Sequence, residues 1–153
     1  MDSREALIAL NMLPKIGPIR VRRLLERFGS AEAILQTASR QLLQIQGIGP
    51  ETADIITHWE SHSDLKAELR EVHERGITIL TQEDDQYPSP LKKIYDPPLV
   101  LYVWGELVPK DNHAIAVVGS RRTTHYGQTV ARTLSADLAR SGFTIISGLA
   151  RGI

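Results

Sequence analysis

AIAVVGSRRTTHYGQTVARTLSADLARSGFTIISGLARGI, residues 114–153, is the stretch whose pattern decides the fold. Ala114 to Val118 is an unbroken apolar run of the kind that makes a buried strand, and Gly119-Ser120-Arg121-Arg122 follows it at once. A helix is predicted over Tyr126 to Arg140, with Val130, Leu134 and Leu138 at four-residue intervals and Gly142 as its stop. Thr144 to Ile146 reads as a second buried strand, followed by Ser147-Gly148-Leu149-Ala150-Arg151-Gly152. Strand, glycine loop, helix, strand, glycine loop is the opening of a parallel α/β sheet. Both loops leave the carboxyl ends of strands, where open α/β sheets bind ligands.

The loops match no standard phosphate or nucleophile signature. Gly119 is followed by Ser120, Arg121, Arg122, Thr123 and Thr124, which is not Gly-x-Gly-x-x-Gly, and no Walker A sequence is present. Ser147 is not a nucleophile elbow, because Ile145 stands where that motif has its first glycine. What the loops do offer is a phosphate grip. The candidates are Gly119, Ser120 and Arg121, then Arg122 and Thr124, with Ser147, Gly148 and Gly152 adding a second set of amides. Arginine suits the task because its planar fork donates two hydrogen bonds to one phosphate.

Charge is distributed in keeping with that reading. The 153 residues hold 18 basic and 18 acidic groups, so the net charge is zero. Residues 1–60 balance, residues 61–112 carry net −4, and residues 113–153 carry five arginines against the single acid Asp137, net +4. This asymmetry points to an anionic ligand for the C-terminal segment, although clustering along the chain becomes phosphate neutralisation only when it is clustering in space. There is no cysteine, which excludes disulfides and zinc–thiolate sites. No apolar run reaches the ~20 residues of a membrane helix, and the N-terminus lacks a secretory layout, so a cytoplasmic protein is expected. His58 and His62 share a helical spacing, but no third ligand is evident; neither a metal nor a cofactor is expected.

The first 60 residues read as short helices. Ser3 is placed as the cap of the first, and Ile19 to Phe28 forms the second with Val21, Leu24, Leu25 and Phe28 on one face. Ser30 caps a third helix, Arg40 to Ile45 forms a fourth, and Glu51 to Trp59 the last. Ile16-Gly17-Pro18 recurs 32 residues later as Ile48-Gly49-Pro50, each copy with an apolar residue three positions upstream (Leu13, Ile45). The pair resembles two helix-hairpin-helix motifs, which together make a small five-helix domain. The second copy, LLQIQGIGPETADII, fits well, whereas the first has Lys15 where a hairpin glycine is usual. Gly47 and Gly49 are expected to take positive φ and to leave amides free at the next helix for a phosphate. The repeat serves equally well if the hairpins only pack helices.

Ser61 to Ser63 reads as a joint, so the chain is divided into a helical domain, residues 1–62, and an α/β domain, residues 63–153. Asp64 to Arg75 is an amphipathic helix, Ile77 to Leu80 and Leu99 to Trp104 are strands, and the prolines of QEDDQYPSPLKKIYDPP keep that connection from being helical.

The run YPSPLKKIYDPPLVLYVWGEL, together with Gly119-Ser120-Arg121, Tyr126-Gly127 and Ser147-Gly148-x-Ala150-x-Gly152-Ile153, closely resembles the bacterial DNA-processing family DprA/Smf. The resemblance runs from about Asp64 to the end. It implies an extended Rossmann-like parallel sheet preceded by a helix-hairpin-helix (SAM-like) domain. It also implies a non-catalytic, homodimeric protein of natural transformation that binds incoming single-stranded DNA and helps load the RecA recombinase on it. Arg121 then contacts a DNA phosphate, assisted by Ser120, Gly148 and neighbouring amides; Gly47 and Gly49 stand as secondary contacts on the hairpin geometry alone. In the family the last motif continues into an acidic residue and a later histidine, so the chain is expected to be a piece of a longer protein, with an open sheet edge prone to self-association. The rival is a Rossmann-type enzyme or binder acting on a small phosphorylated nucleotide, which needs an acid or base that the loops do not display.

Overall fold

The chain forms two compact units, Met1–Gly105 and Glu106–Ile153. The computed structural model describes residues 1–152. No described helix is long and apolar enough to cross a membrane.

The first unit begins with α1 (Ser3–Met12), α2 (Pro18–Phe28), α3 (Ala31–Leu35), α4 (Ser39–Leu42), α5 (Pro50–Thr57), α6 (Trp59–His62) and α7 (Leu65–Glu74). Asp2, not Ser3, caps α1. Its carboxylate accepts from the Glu5 amide at 2.8 Å while its own amide donates to the Glu5 carboxylate at 3.1 Å, a reciprocal pair that a serine one place later could not make. The last helix of the set is interrupted at His58, whose φ of −109° and ψ of 34° leave the helical region and separate α5 from α6. Ile8, Leu10, Val21, Leu24, Ile34, Leu42 and Ile56 are fully buried, and they form one core across α1 to α5.

The two hairpins have the same backbone with different residues. Gly47 has a φ of +89° and Lys15, at the equivalent position, a φ of +63°, so the missing glycine of the first hairpin is a lysine held in the left-handed region. Gly49 does not take positive φ. Like its counterpart Gly17 it is extended (φ −92° and −97°), because each caps a helix and precedes a proline at the first helical position, which pushes the preceding residue to the β region. Helix α2 joins the hairpins. The Arg20 guanidinium donates to the carbonyls of both Lys15 and Gly47, and Arg23 donates to the Gln46 carbonyl at 3.0 Å. Lys15 also pairs with Glu51 in the first turn of α5.

The expected boundary at 62/63 does not coincide with the division between the units. Strands β1 (Ile77–Thr81) and β2 (Val100–Trp104) pair antiparallel, Ile77 opposite Trp104 through Thr81 opposite Val100, as a sheet of their own. Ile79, Leu99 and Val100 complete the helical core, with Leu65, Leu69 and Val72 of α7 packed against it. The proline-rich connection holds one helical turn, α8 (Ser89–Lys92), against the expectation of none; Pro90 sits in its first turn, where no amide partner is needed. Asp84 secures the start of that connection. It accepts from the Thr81 amide (2.6 Å), the Thr81 hydroxyl (3.1 Å) and Arg4 (3.0 Å), while Arg4 also donates to the Ile79 carbonyl.

The second unit holds a 3₁₀ turn (Pro109–Asn112), β3 (Ala114–Ala116), α9 (His125–Arg140) and β4 (Thr144–Ile146). β3 and β4 are parallel, Ala114 opposite Thr144 and Ala116 opposite Ile146, and the Val117 amide extends the ladder to the Ile146 carbonyl at 2.9 Å. This is the expected strand–helix–strand unit. The strands are shorter than expected and none of their residues is buried, because a two-stranded sheet with one helix covers too little of either face. Gly142, with a φ of +94°, ends α9 as expected. Asp111 ties the 3₁₀ turn to β4, accepting from the Val108 amide and the Thr144 hydroxyl, both at 2.8 Å.

Two outcomes follow for the first unit. Gly47→Ala places a Cβ in left-handed backbone, 3.3 Å from the Arg23 guanidinium, and should cost about 1–2 kcal/mol, whereas Lys15→Ala removes an exposed ion pair worth under ~1 kcal/mol; urea melts compare them. The Thr81 amide, then Arg4 and the Thr81 hydroxyl, hold the Asp84 carboxyl below its ordinary pKa. The stabilisation this brings is therefore complete above about pH 4 and is lost as pH falls through the folded pKa. Asp84→Asn should cost about 1–2 kcal/mol at pH 7, allowing for partial exposure, and the gap to the parent protein should narrow steadily in melts below pH 4.

Candidate functional site

The loops after β3 and β4 carry most of the residues expected to bind an anion, and the parallel pairing brings them side by side. Each loop opens with the same local turn. The Ser120 hydroxyl oxygen accepts from the Arg122 amide at 3.2 Å, and the Ser147 hydroxyl oxygen accepts from the Leu149 amide at 3.4 Å. In this arrangement each serine keeps its own O–H free to donate outward, and both residues are exposed. Thr124 does something else: it is the N-cap of α9, accepting from the Gly127 amide at 3.1 Å, so its hydroxyl oxygen serves the helix. The first loop thus feeds directly into the positive end of a 16-residue helix.

The tightest contact between the loops is at Gly152. A Cβ built there would lie 2.2 Å from the Ser120 carbonyl oxygen and 2.8 Å from the Arg121 Cα, and the residue has a φ of +113°. Only glycine lets the second loop lie against the Ser120–Arg121 peptide. Gly148, by contrast, has nothing within 4 Å of a built Cβ, and Leu149 takes a φ of +51°. Ile153, the last residue of the motif, lies outside the described residues.

Among the described residues, Arg121, Arg122 and Arg151 form no ion pair, whereas Arg140 is paired with Asp137 at 2.8 Å. Arg121 is therefore not consumed by an ion pair among the described residues. Arg151 is not among the residues that the sequence pattern singles out, yet it is exposed, adjoins Gly152 and supplies a third arginine to the two loops. The excess of arginine over acid in residues 113–153 is the signal that could have found it. The two serine hydroxyls, the loop amides, the N-terminus of α9 and the three exposed arginines are groups whose chemistry suits the oxygens of an anion. Gly47 and Gly49, the expected secondary contacts, lie in the other unit, and there the Gly47 carbonyl is bonded to Arg20.

Fold and site together define a class: a helix-hairpin-helix tandem on the same chain as an α/β unit whose two strand-end loops pack together and carry serines and unpaired arginines. The profile of a SAM-like helix-hairpin-helix tandem matches residues 7–57, and that of DNA recombination-mediator protein A matches residues 78–153. Protein Smf of Synechocystis sp. is 31% identical over 150 residues, 95% of this chain and 38% of that protein. DNA processing protein DprA of Bacillus subtilis is 34% identical over 121 residues, 78% of this chain and 39% of that protein. Protein Smf of Borreliella burgdorferi is 44% identical over 92 residues, 58% of this chain and 29% of that protein. The chain belongs to the DprA/Smf family. It spans less than two fifths of the length of these relatives.

Gly152→Ala should force the loops apart. In ¹⁵N–¹H spectra the Ser120 and Arg121 amides should move strongly, while Gly148→Ala, which meets open space, should leave them in place.

Proposed function

We propose that this chain binds single-stranded DNA through phosphate contacts at the paired loops, within a longer protein of natural transformation that helps load RecA on incoming DNA. The observation that carries the reading is the packing of Gly152 on the Ser120–Arg121 peptide, which gathers two amide-rich loops with Arg121, Arg122 and Arg151. Family membership supports it, as do the names of relatives that process DNA. In this reading Arg121 grips a phosphate, Ser120, Ser147 and the Gly119, Gly148 and Gly152 backbone assist it, and no residue performs catalysis. Homodimer formation and RecA contact are properties we propose for the longer protein.

Recognition led by phosphate is largely independent of sequence and weakens as salt rises. Fluorescence anisotropy of labelled oligo-dT across a salt series tests it. Arg121→Ala should weaken binding and make the salt slope shallower by about 0.7, because one fewer phosphate is neutralised. Salt-insensitive binding, or saturable binding of nucleoside monophosphates with no preference for longer DNA, would overturn the reading in favour of a small-ligand site.

A further inference from the structure

The connection between β1 and β2 in the first unit is clamped at its base. The buried Tyr87 donates its hydroxyl to the Pro98 carbonyl at 2.8 Å, and the Gln82 side-chain amide donates to the Pro97 and Pro98 carbonyls at 3.2 and 3.1 Å. Pro88, Pro97 and Pro98 restrict φ on either side of the α8 turn, and Pro90 restricts it within the turn. A loop fastened in this way loses little entropy when it binds something.

What it presents is an exposed aromatic ring on a segment that also carries exposed cations. Tyr95 is 84% exposed, and Lys92 and Lys93 just before it are exposed as well. Arg22 of α2 reaches the same place, its guanidinium donating to the Tyr95 carbonyl at 3.3 Å. None of these three cations forms an ion pair among the described residues, and Lys92 stands over the Tyr87 ring, 5.7 Å from its centre. The nearest acid in sequence, Asp96, has its Oδ1 buried, and Asp84 is taken by Arg4 and Thr81.

A flat exposed ring on a segment with unpaired cations close in sequence, and with Arg22 at its own carbonyl, suits a stacked base and its adjoining phosphates. A duplex hides its base faces, so the matching ligand is a single strand. We infer that Tyr95, with Lys92, Lys93 and Arg22, is a second contact for single-stranded DNA, separate from the paired loops and on the other compact unit. The ring takes a base face and the cations take the adjoining phosphates. The inference rests on the single-strand reading above but on different residues.

The test is dT-oligonucleotide anisotropy on the whole chain with Tyr95→Ala, Tyr95→Phe, Lys92→Ala/Lys93→Ala and Arg121→Ala, each variant checked for unchanged helix content by circular dichroism. Tyr95→Ala should weaken binding about tenfold while Tyr95→Phe keeps it, because stacking needs the ring and not the hydroxyl. The lysine pair should flatten the salt slope by about 1.4. Photo-crosslinking to 5-iododeoxyuridine-substituted oligonucleotide should attach the strand to the peptide containing Tyr95. Normal affinity of Tyr95→Ala and no such adduct, with Arg121→Ala weakened, overturns this inference alone and leaves the surface to a protein partner. Weakened binding in Tyr95→Ala with Arg121→Ala unchanged overturns the paired-loop reading instead and upholds this one. A parent chain that binds no dT overturns both.

Discussion

The parallel pairing of Ala114–Ala116 with Thr144–Ile146 is the constraint on which the candidate site depends. Parallel strands must be joined by a crossover, here α9, and they deliver both following loops to the same end of the sheet. The contact of Gly152 with the Ser120–Arg121 peptide then turns neighbouring loops into one surface. The site has little side-chain burial behind it: its geometry comes from backbone hydrogen bonds, from two serine turns and from a glycine that no other residue can replace without displacing the opposite loop.

The first unit is organised differently. It has a closed apolar core, and its polar interactions fix turns rather than fill the interior. Arg20 serves both hairpins through carbonyls at equivalent positions, so one side chain on α2 holds the pseudo-repeat together. Asp84 and Tyr87 play comparable parts on the β1–β2 side, one closing the turn after β1 and the other tying the proline segment to its own far end. The strands add Ile79, Leu99 and Val100 to the helical core, which is why the compact unit runs to Gly105 and not to the polar joint near Ser63.

Much of this is legible in residue order because it is local. Periodicity places α2, α7 and α9 within a residue or two, and the glycine loops mark the ends of β3 and β4. The Ile-Gly-Pro repeat announces two hairpins of one geometry. Local rules also err where two neighbours compete. Asp2 displaces Ser3 as the cap because its partner Glu5 lies at the reciprocal spacing, and Gly49 is extended because a proline follows it.

By itself, then, the sequence determined most of the elements and their order, the family and the two glycine loops that the parallel strands bring together, since each follows from chemistry within a few positions or from a contiguous motif; the α8 turn and the break at His58 escaped it. Only the tertiary structure decided that β1 and β2 pair with each other and complete the helical core, that Lys15 takes over a glycine's conformation, that Gly152 lies against the Ser120–Arg121 peptide, and that the Tyr95 carbonyl meets Arg22 from a distant helix. Each of those depends on which distant segments close against one another, and that choice is set by burial and hydrogen-bond pairing across the whole unit rather than by neighbours in the chain.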